Sequence, residues 1–143
     1  MSDEVDLERF VRAQDEAGTY RQALAELGRG RKVSHWMWFV FPQLAGLGRS
    51  STAQYYALRS LAEAEAYLAH PVLGPRLREC AEMLAGLTGR TADEVFGGID
   101  AVKLRSSMTL FSRAAPEERV FAAVLDRYFG GQPDPATERL LST

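Results

Sequence analysis

The sequence predicts an all-α fold, a single compact domain of about seven helices. The first observation is an apolar stripe whose spacings alternate between four and three residues, the period of a helix with one buried face. Its members are Leu73, Leu77, Cys80, Leu84 and Leu87. The second is a pair of capping boxes, Ser60 with Glu63 and Thr91 with Glu94, which mark the first turns of helices. The third is that no segment has the pattern of a partner strand.

Composition and charge fit one soluble globular domain and argue against several classes of function. The chain has 143 residues, 46% of them hydrophobic and 25% charged, so one core is expected over roughly residues 6–141 of a domain that spans 1–143. Because the formal net charge is −2, nucleic acid is not an expected partner without a local basic patch. The single cysteine, Cys80, permits no intramolecular disulfide and no cysteine cluster for a metal.

The expected compartment is the cytoplasm, and no membrane is expected as a partner. One cysteine fits a reducing compartment. The N-terminus, MSDEVDLERF, is acidic and lacks the apolar run of a signal peptide. No stretch approaches the ~20 apolar residues that a membrane span needs.

The first half of the chain contains three predicted helices and a weaker fourth. Residues 6–14, with Asp6 as the N-cap, and residues 20–27 place apolar side chains at helical spacing. Ser34 is the predicted N-cap of one or two further turns that stop before the next proline. A short buried strand is the alternative for that apolar run, and residues 52–58 have a weak helical pattern.

The second half repeats the order of cap, apolar stripe and breaker. Pro71 and Pro116 suit first helical turns. Asp100 is a candidate N-cap, and Gly97 with Gly98 is expected to separate two helices. We therefore expect helices, in order, over residues 60–68, 71–87, 91–97, 100–111 and 116–128, with one last turn within 133–141.

The aromatic segment, residues 34–42, has the most unusual composition in the chain. Both tryptophans, Trp36 and Trp38, lie in it, and His35 stands near its start. Side chains two positions apart on a helix point in different directions, so burying both indoles requires neighbours on two sides. One interpretation is that the rings form the core, and the other is that an indole stacks on a planar ligand. His35 is the candidate acid or base, with a capping or core role as its alternative.

The glycine loop, residues 44–52, follows directly and offers a weak phosphate motif. Its candidate ligand-binding residues are Arg49 and Ser50, which follow two glycines. Glycine lets backbone amides approach a phosphate, and arginine pairs with one through two hydrogen bonds. The ending of a Walker loop is absent, and no clear strand precedes the loop. A glycine-rich turn between two helices is the alternative.

A polar, cationic stretch, KLRSSMTLFSR, fills residues 103–113. Its candidate ligand-binding residues are Lys103, Arg105, Ser106 and Ser107, because cationic and hydroxyl groups beside an apolar stripe can bind an anion. The alternative is close helix packing, in which the hydroxyl groups bond to carbonyl groups one turn earlier. The two histidines of the chain have no cluster of carboxylates beside them, so we predict no metal and no cofactor.

Four runs of sequence resemble those of a known family: SHWMWFVFPQLAGLG, AYLAHPVLGPRLREC, FGGIDAVKLRSSMTLF and VLDRYFGGQPDP. Over residues 7–140 the chain is similar to the uncharacterised family called domain of unknown function 1810 (DUF1810). The resemblance implies a small, largely helical, soluble protein, and it assigns no activity and no role to any residue. Some members carry the label calpastatin, but inhibitor segments of that kind are disordered, whereas this chain has the apolar content of a compact fold.

Two functions of different classes follow from these patterns. In the first, the chain binds a small planar anionic ligand, such as a nucleotide or an ADP-ribose-like compound, in a pocket made by the candidate residues. If that site is enzymatic, His35 is its titrating group. In the second, the chain is a non-catalytic helical module that contacts another protein or self-associates as a homo-oligomer, and the unusual residues serve packing.

Overall fold

The computed structural model describes residues 6–142, and within that range every named element is helical. The helices are α1 (Glu8–Asp15), α2 (Thr19–Gly28), α3 (Met37–Val40), α4 (Ser51–Tyr55), α5 (Leu61–Ala69), α6 (Leu73–Gly86), α7 (Ala92–Ala114), α8 (Arg119–Phe129) and α9 (Pro135–Leu141). A 3-10 turn, Glu16–Gly18, joins α1 to α2. The prediction of an all-α domain is confirmed. The ends of the predicted domain, residues 1–5 and 143, lie outside the described residues.

The longest helix, α7, organises the packing. It contacts α5, α8 and α9, while α6 contacts α8, α5 and α2, and α1 contacts α2 and α3. The two helices predicted on either side of Gly97 and Gly98 form one helix with a kink, because Gly97 alone departs to φ 79° and ψ 163°. Asp100 is therefore not the N-cap that the sequence predicted, and it lies within α7, three residues after the kink at Gly97.

Four of the five residues of the predicted apolar stripe are buried on α6, whereas the fifth, Leu87, follows the end of the helix and is half-buried. Leu73, Leu77, Cys80 and Leu84 are at most 1% exposed, and each fully buried aliphatic side chain contributes about 1.5–3 kcal/mol to folding. Burial raises the pKa of the Cys80 thiol to about 12, so this cysteine is a protonated core residue at neutral pH.

An N-cap side chain accepts a backbone hydrogen bond at the start of four of the nine named helices, α4, α5, α7 and α9, and three predicted caps, that of Asp100 included, are wrong. Thr91 forms the predicted capping box. Ser60 accepts the predicted backbone hydrogen bond at the start of α5, but its box is incomplete, because Glu63 Oε1 accepts from the Arg59 amide at 2.9 Å. Helix α1 begins after Leu7 rather than after Asp6. Helix α3 begins after Trp36 rather than after Ser34, for a reason given below.

The start of α6 depends on a cap that the sequence pattern did not reveal. His70 Nδ1 accepts hydrogen bonds from the backbone amides of Val72 at 3.1 Å and Leu73 at 3.2 Å. Pro71 consequently lies before the helix instead of in its first turn. The His70 ring also reaches Glu8 of α1, with Nε2 3.0 Å from Oε2. Both ring nitrogens of His70 therefore have structural partners, and these contacts account for the residue without a functional role.

None of the helices in residues 6–142 combines the length and the apolar character needed to cross a lipid bilayer.

Candidate functional site

A buried carboxylate on α2 holds the start of the aromatic segment. Glu26 is fully buried and accepts five hydrogen bonds. The donors are the amides of Val33 (2.8 Å) and Ser34 (2.9 Å), Ser34 Oγ (2.6 Å), Trp36 Nε1 (2.9 Å) and Gln22 Nε2 (2.9 Å). Burial alone would raise the pKa of Glu26, but these hydrogen bonds favour the charged form and lower the pKa to about 2.

This arrangement explains why Ser34 does not cap α3. Its hydroxyl and its amide both donate to Glu26, which holds Ser34 against α2, and α3 begins three residues later, at Met37. Glu26 was missed by the sequence reasoning, although a signal existed. It lies on the same helix face as Ala23 and Leu27, both fully buried, where an unexplained carboxylate indicates a specific partner.

Trp36 belongs to the core. Its ring is fully buried, with Phe41 at 6.2 Å and Phe96 at 6.4 Å between ring centroids. Lys32 Nζ lies 5.1 Å from its centroid, and its indole N–H is bound to Glu26. The surroundings therefore leave this indole without solvent exposure in the described structure.

Trp38 lies in a different environment, and it brings the aromatic segment to α7. The ring is half-buried, and Lys103 Nζ lies 4.5 Å from its centroid. Asp100 pairs with both neighbouring lysines, at 2.8 Å from Lys32 Nζ and 3.6 Å from Lys103 Nζ. Two of the predicted site residues, Trp38 and Lys103, thus meet in space.

His35 and the glycine loop are exposed. In residues 6–142, His35 makes no hydrogen bond and no ion pair. Ser50 Oγ caps α4 by accepting the Ala53 amide at 3.1 Å, and the Arg49 side chain is exposed. The base of the loop is closed by the backbone of Leu58, whose carbonyl accepts the Ala45 amide at 2.7 Å.

Of the remaining predicted residues of α7, Arg105 and Ser106 are bound to carbonyl groups, and Ser107 is buried. Arg105 follows Lys103 by about 200° around the helix, and its Nε donates to the Gln132 carbonyl at 2.9 Å. Ser106 Oγ donates to the Val102 carbonyl at 3.1 Å, which is the back-bonding of the packing interpretation. Ser107 Oγ is fully buried and has no hydrogen-bond partner within the described structure.

The cleft beside α1 and α4 has a volume of about 320 Å³ and is lined by none of the predicted residues. Its lining is Asp6, Arg9, Gln54, Tyr55, Ala57, Arg59 and Glu63. The guanidinium of Arg9 is occupied by backbone carbonyl groups, those of Tyr55 at 2.7 Å, Ala57 at 3.0 Å and Asp6. Arg9 therefore serves to hold the chain around α4. Over residues 6–142, no three His, Cys, Asp or Glu side chains are grouped to hold a metal ion.

Fold and site together define a small all-α protein with one face that carries an aromatic ring and two lysines. A family model described as a protein of unknown function, DUF1810, matches residues 4–141, and the chain belongs to this family. It is similar to the crystal structure of the conserved hypothetical protein Rv1873 from Mycobacterium tuberculosis, at 52% identity and a TM-score of 0.93, over 96% of this chain and 97% of that one. No curated protein matches the chain.

Proposed function

We propose that the protein binds a small anionic ligand with a planar group where Trp38 meets Lys103, a surface that we name the Trp38–Lys103 face. The carrying observation is the 4.5 Å distance between Lys103 Nζ and the centroid of the half-buried Trp38 ring. A nucleotide or an ADP-ribose-like compound needs both groups, an aromatic ring to stack on its base and a cation to pair with its phosphate. The base would use indole surface that Lys103 does not cover.

Local charge supports an anion at this face. Asp100 is shared by Lys32 and Lys103, so the three side chains carry one excess positive charge. The Lys103–Asp100 distance of 3.6 Å is long for an ion pair, and a partly exposed pair of this kind is worth only about 0–1 kcal/mol. A phosphate group can therefore compete with Asp100 for the Lys103 ammonium.

The roles of the other candidate residues remain proposals that rest on the sequence pattern. His35 is the proposed acid or base if the site is enzymatic, since it is exposed three residues before Trp38. Arg49 and Ser50 would contribute only if the glycine loop closes on the ligand. Arg105 would act separately from Lys103. The cytoplasm stays the proposed compartment.

A thermal-shift screen of nucleotides and ADP-ribose tests the proposal. A ligand at 100 times its Kd stabilises the folded state by about 2.7 kcal/mol, which raises Tm by roughly 8 °C for a chain of this size. Lys103→Ala and Trp38→Ala should each remove the shift. Arg119→Ala, at an exposed arginine on α8, should keep it, and Arg105→Ala reports whether that residue takes part. If no compound stabilises the wild-type protein, the proposal is wrong.

A second candidate, the non-catalytic interaction module, is favoured by one specific observation. Three large apolar side chains near the Lys32–Asp100–Lys103 cluster are exposed: Val33 by 65%, Ile99 by 77% and Val102 by 59%. Ile99 and Val102 are one turn apart on α7, and Val33 follows Lys32. Exposed apolar residues that lie together are typical of protein interfaces.

Light scattering over a wide concentration range tests the self-associating form of this candidate. We expect a concentration-dependent increase in mass that Val102→Glu abolishes. Ala122→Glu, at an exposed position on α8, is the matched control and should leave the increase unchanged. A constant monomer mass at all concentrations would remove the homo-oligomer from consideration.

A further inference from the structure

A second cavity lies where α1, the 3-10 turn, α2 and α6 meet. Its volume is about 330 Å³, near the lower end of the range for ligand sites. The lining residues are Gln14, Asp15, Gly18, Tyr20, Arg21 and Arg76, contributed by α1, the 3-10 turn, α2 and α6. We name it the Arg76 cavity. None of its residues belongs to the Trp38–Lys103 face.

The cavity has a buried polar side chain in its lining. Gln14 is 1% exposed, and its Nε2 donates to the Phe39 carbonyl at 2.7 Å and to Tyr67 Oη at 3.2 Å. Its Oε1 accepts from Arg76 Nη1 at 3.2 Å. Because both ends of the amide are occupied, Gln14 has a single favourable orientation, and it fixes the guanidinium that it binds.

Arg76 is held on one edge and free on the other. Nη1 donates to Gln14 and, at 2.9 Å, to Asp15 Oδ1, while the guanidinium carbon lies 4.8 Å from the centroid of the Tyr20 ring. Nε and Nη2 have no hydrogen-bond partner in the part of the chain that the structure describes. These two donors form the edge that binds a carboxylate or a phosphate through two parallel hydrogen bonds.

The charges around the cavity leave room for an anion. Arg76 and Arg21 are positive and Asp15 is negative, and Arg21 makes no ion pair in the described part of the chain. A further carboxylate, that of Glu79, accepts a 2.6 Å hydrogen bond from the Tyr20 hydroxyl. Asp15, whose side chain is 56% exposed, would repel a second anion on the same guanidinium.

We infer that the Arg76 cavity is a ligand site, which takes a small molecule through a carboxylate or phosphate group bound to Nε and Nη2 of Arg76. The guanidinium is already oriented by Gln14 and by the Tyr20 ring, so little side-chain freedom is lost when the ligand binds. The site is independent of the Trp38–Lys103 face. Either site can fail its test without affecting the other.

Amide chemical-shift titrations with inorganic phosphate and with malonate, at constant ionic strength, test this inference. We expect saturable shifts at Gly18, Tyr20 and Arg21 and at the Nε–H of Arg76. Arg76→Lys keeps the charge but loses the two-donor edge, so affinity should fall about tenfold or more. Arg119→Lys, the same change at an exposed arginine of α8, should leave affinity unchanged.

A second variant keeps the inference testable if Arg76→Lys does not fold. Asp15→Asn removes the competing carboxylate from an exposed position and should tighten binding severalfold. Saturation with phosphate alone would identify a phosphate group, and saturation with malonate alone a carboxylate. Linear shifts spread over the surface, or equal affinity in the wild type and in Asp15→Asn, would overturn the inference.

Discussion

The two sides of the aromatic segment differ in how their polar groups are satisfied. On the Trp36 side, the carboxylate of Glu26 is buried and accepts five hydrogen bonds, one of them from the fully buried Trp36 ring. On the Trp38 side, Asp100 is shared by two lysines, and the Lys103 pair is long. The two tryptophans, two positions apart in the chain, thus differ: Trp36 is a core residue, and Trp38 is part of a surface.

The difference shows that the number of hydrogen bonds and ion pairs made by the charged groups, rather than the residue type, distinguishes the core from a candidate site. A buried carboxylate with every lone pair engaged has no capacity left for a ligand, and displacing its donors would be strongly unfavourable. A surface lysine with a weak partner retains that capacity. Each prediction below perturbs one side and uses the other as its reference.

The largest expected effect comes from truncating the buried tryptophan. Trp36→Ala removes a fully buried ring and one donor to Glu26, so the free energy of unfolding should fall by about 4 kcal/mol or more. Trp38→Ala removes a half-buried ring and should lower it by no more than about 2 kcal/mol. Urea denaturation of both variants measures the difference. Equal losses would mean that the two sides are not distinct.

The acid dependence of stability should include a contribution from Glu26 on the Trp36 side, beside that of Glu118, whose pKa its hydrogen bond with Arg78 also lowers. The pKa of Glu26 is lowered from 4.5 to about 2 in the folded state, so its contribution is complete above pH 4.5 and is lost as the pH falls through 2. That contribution is on the order of 3 kcal/mol. Urea midpoints at pH 6 and pH 3 should show it.

Glu26→Gln provides the comparison that isolates this carboxylate. The variant lacks the titrating group, so its stability deficit relative to the wild type should shrink as the pH is lowered towards 2. Glu82→Gln, at an exposed glutamate without an ion pair in the described part of the chain, is the matched control. A deficit of Glu26→Gln that stays constant with pH would contradict the assignment.

Structural features that depend on a few neighbouring residues were predicted from the sequence, whereas features that depend on partners distant in the chain were not. The capping box at Thr91 and the apolar stripe of α6 are local patterns, and both are present in the structure. The cap predicted at Ser34 failed because a carboxylate eight residues earlier binds its amide and its hydroxyl. The preference of serine for the N-cap position takes no account of a carboxylate from another helix.

The candidate site was predicted in part for the same reason. The meeting of Trp38 and Lys103 brings together residues 65 positions apart, and it was expected only in the general form of a pocket made by the candidate residues. The separation of Lys103 from Arg105 follows from helical geometry and was available from the sequence. The Arg76 cavity was not, because three helices and a 3-10 turn must converge before Gln14 can reach Arg76.

A smaller effect should separate the two lysines that share Asp100. Lys103→Ala should change the free energy of unfolding by less than about 1 kcal/mol, because its ion pair is long and its ring contact is partly exposed. Asp100→Asn leaves the Lys32 ammonium, whose side chain is 6% exposed, without its carboxylate, and should cost about 2 kcal/mol. Urea denaturation of both variants decides. A larger loss for Lys103→Ala would assign Lys103 to the core side.

A further small effect is predicted for Ser107, and its sign is opposite to the others. The hydroxyl is fully buried without a hydrogen-bond partner among residues 6–142, a situation that destabilises the folded state by about 1–3 kcal/mol before any relaxation. Ser107→Ala removes the unpaired group and raises helix propensity, so the protein should become more stable by about 1 kcal/mol. Thr109→Val is the control, because Thr109 Oγ1 both donates to the Arg105 carbonyl at 2.8 Å and accepts the Asp134 amide at 2.8 Å. That variant should be less stable by about 1–3 kcal/mol. If Ser107→Ala is instead destabilising and also weakens ligand binding, Ser107 belongs to the anion site proposed from the sequence.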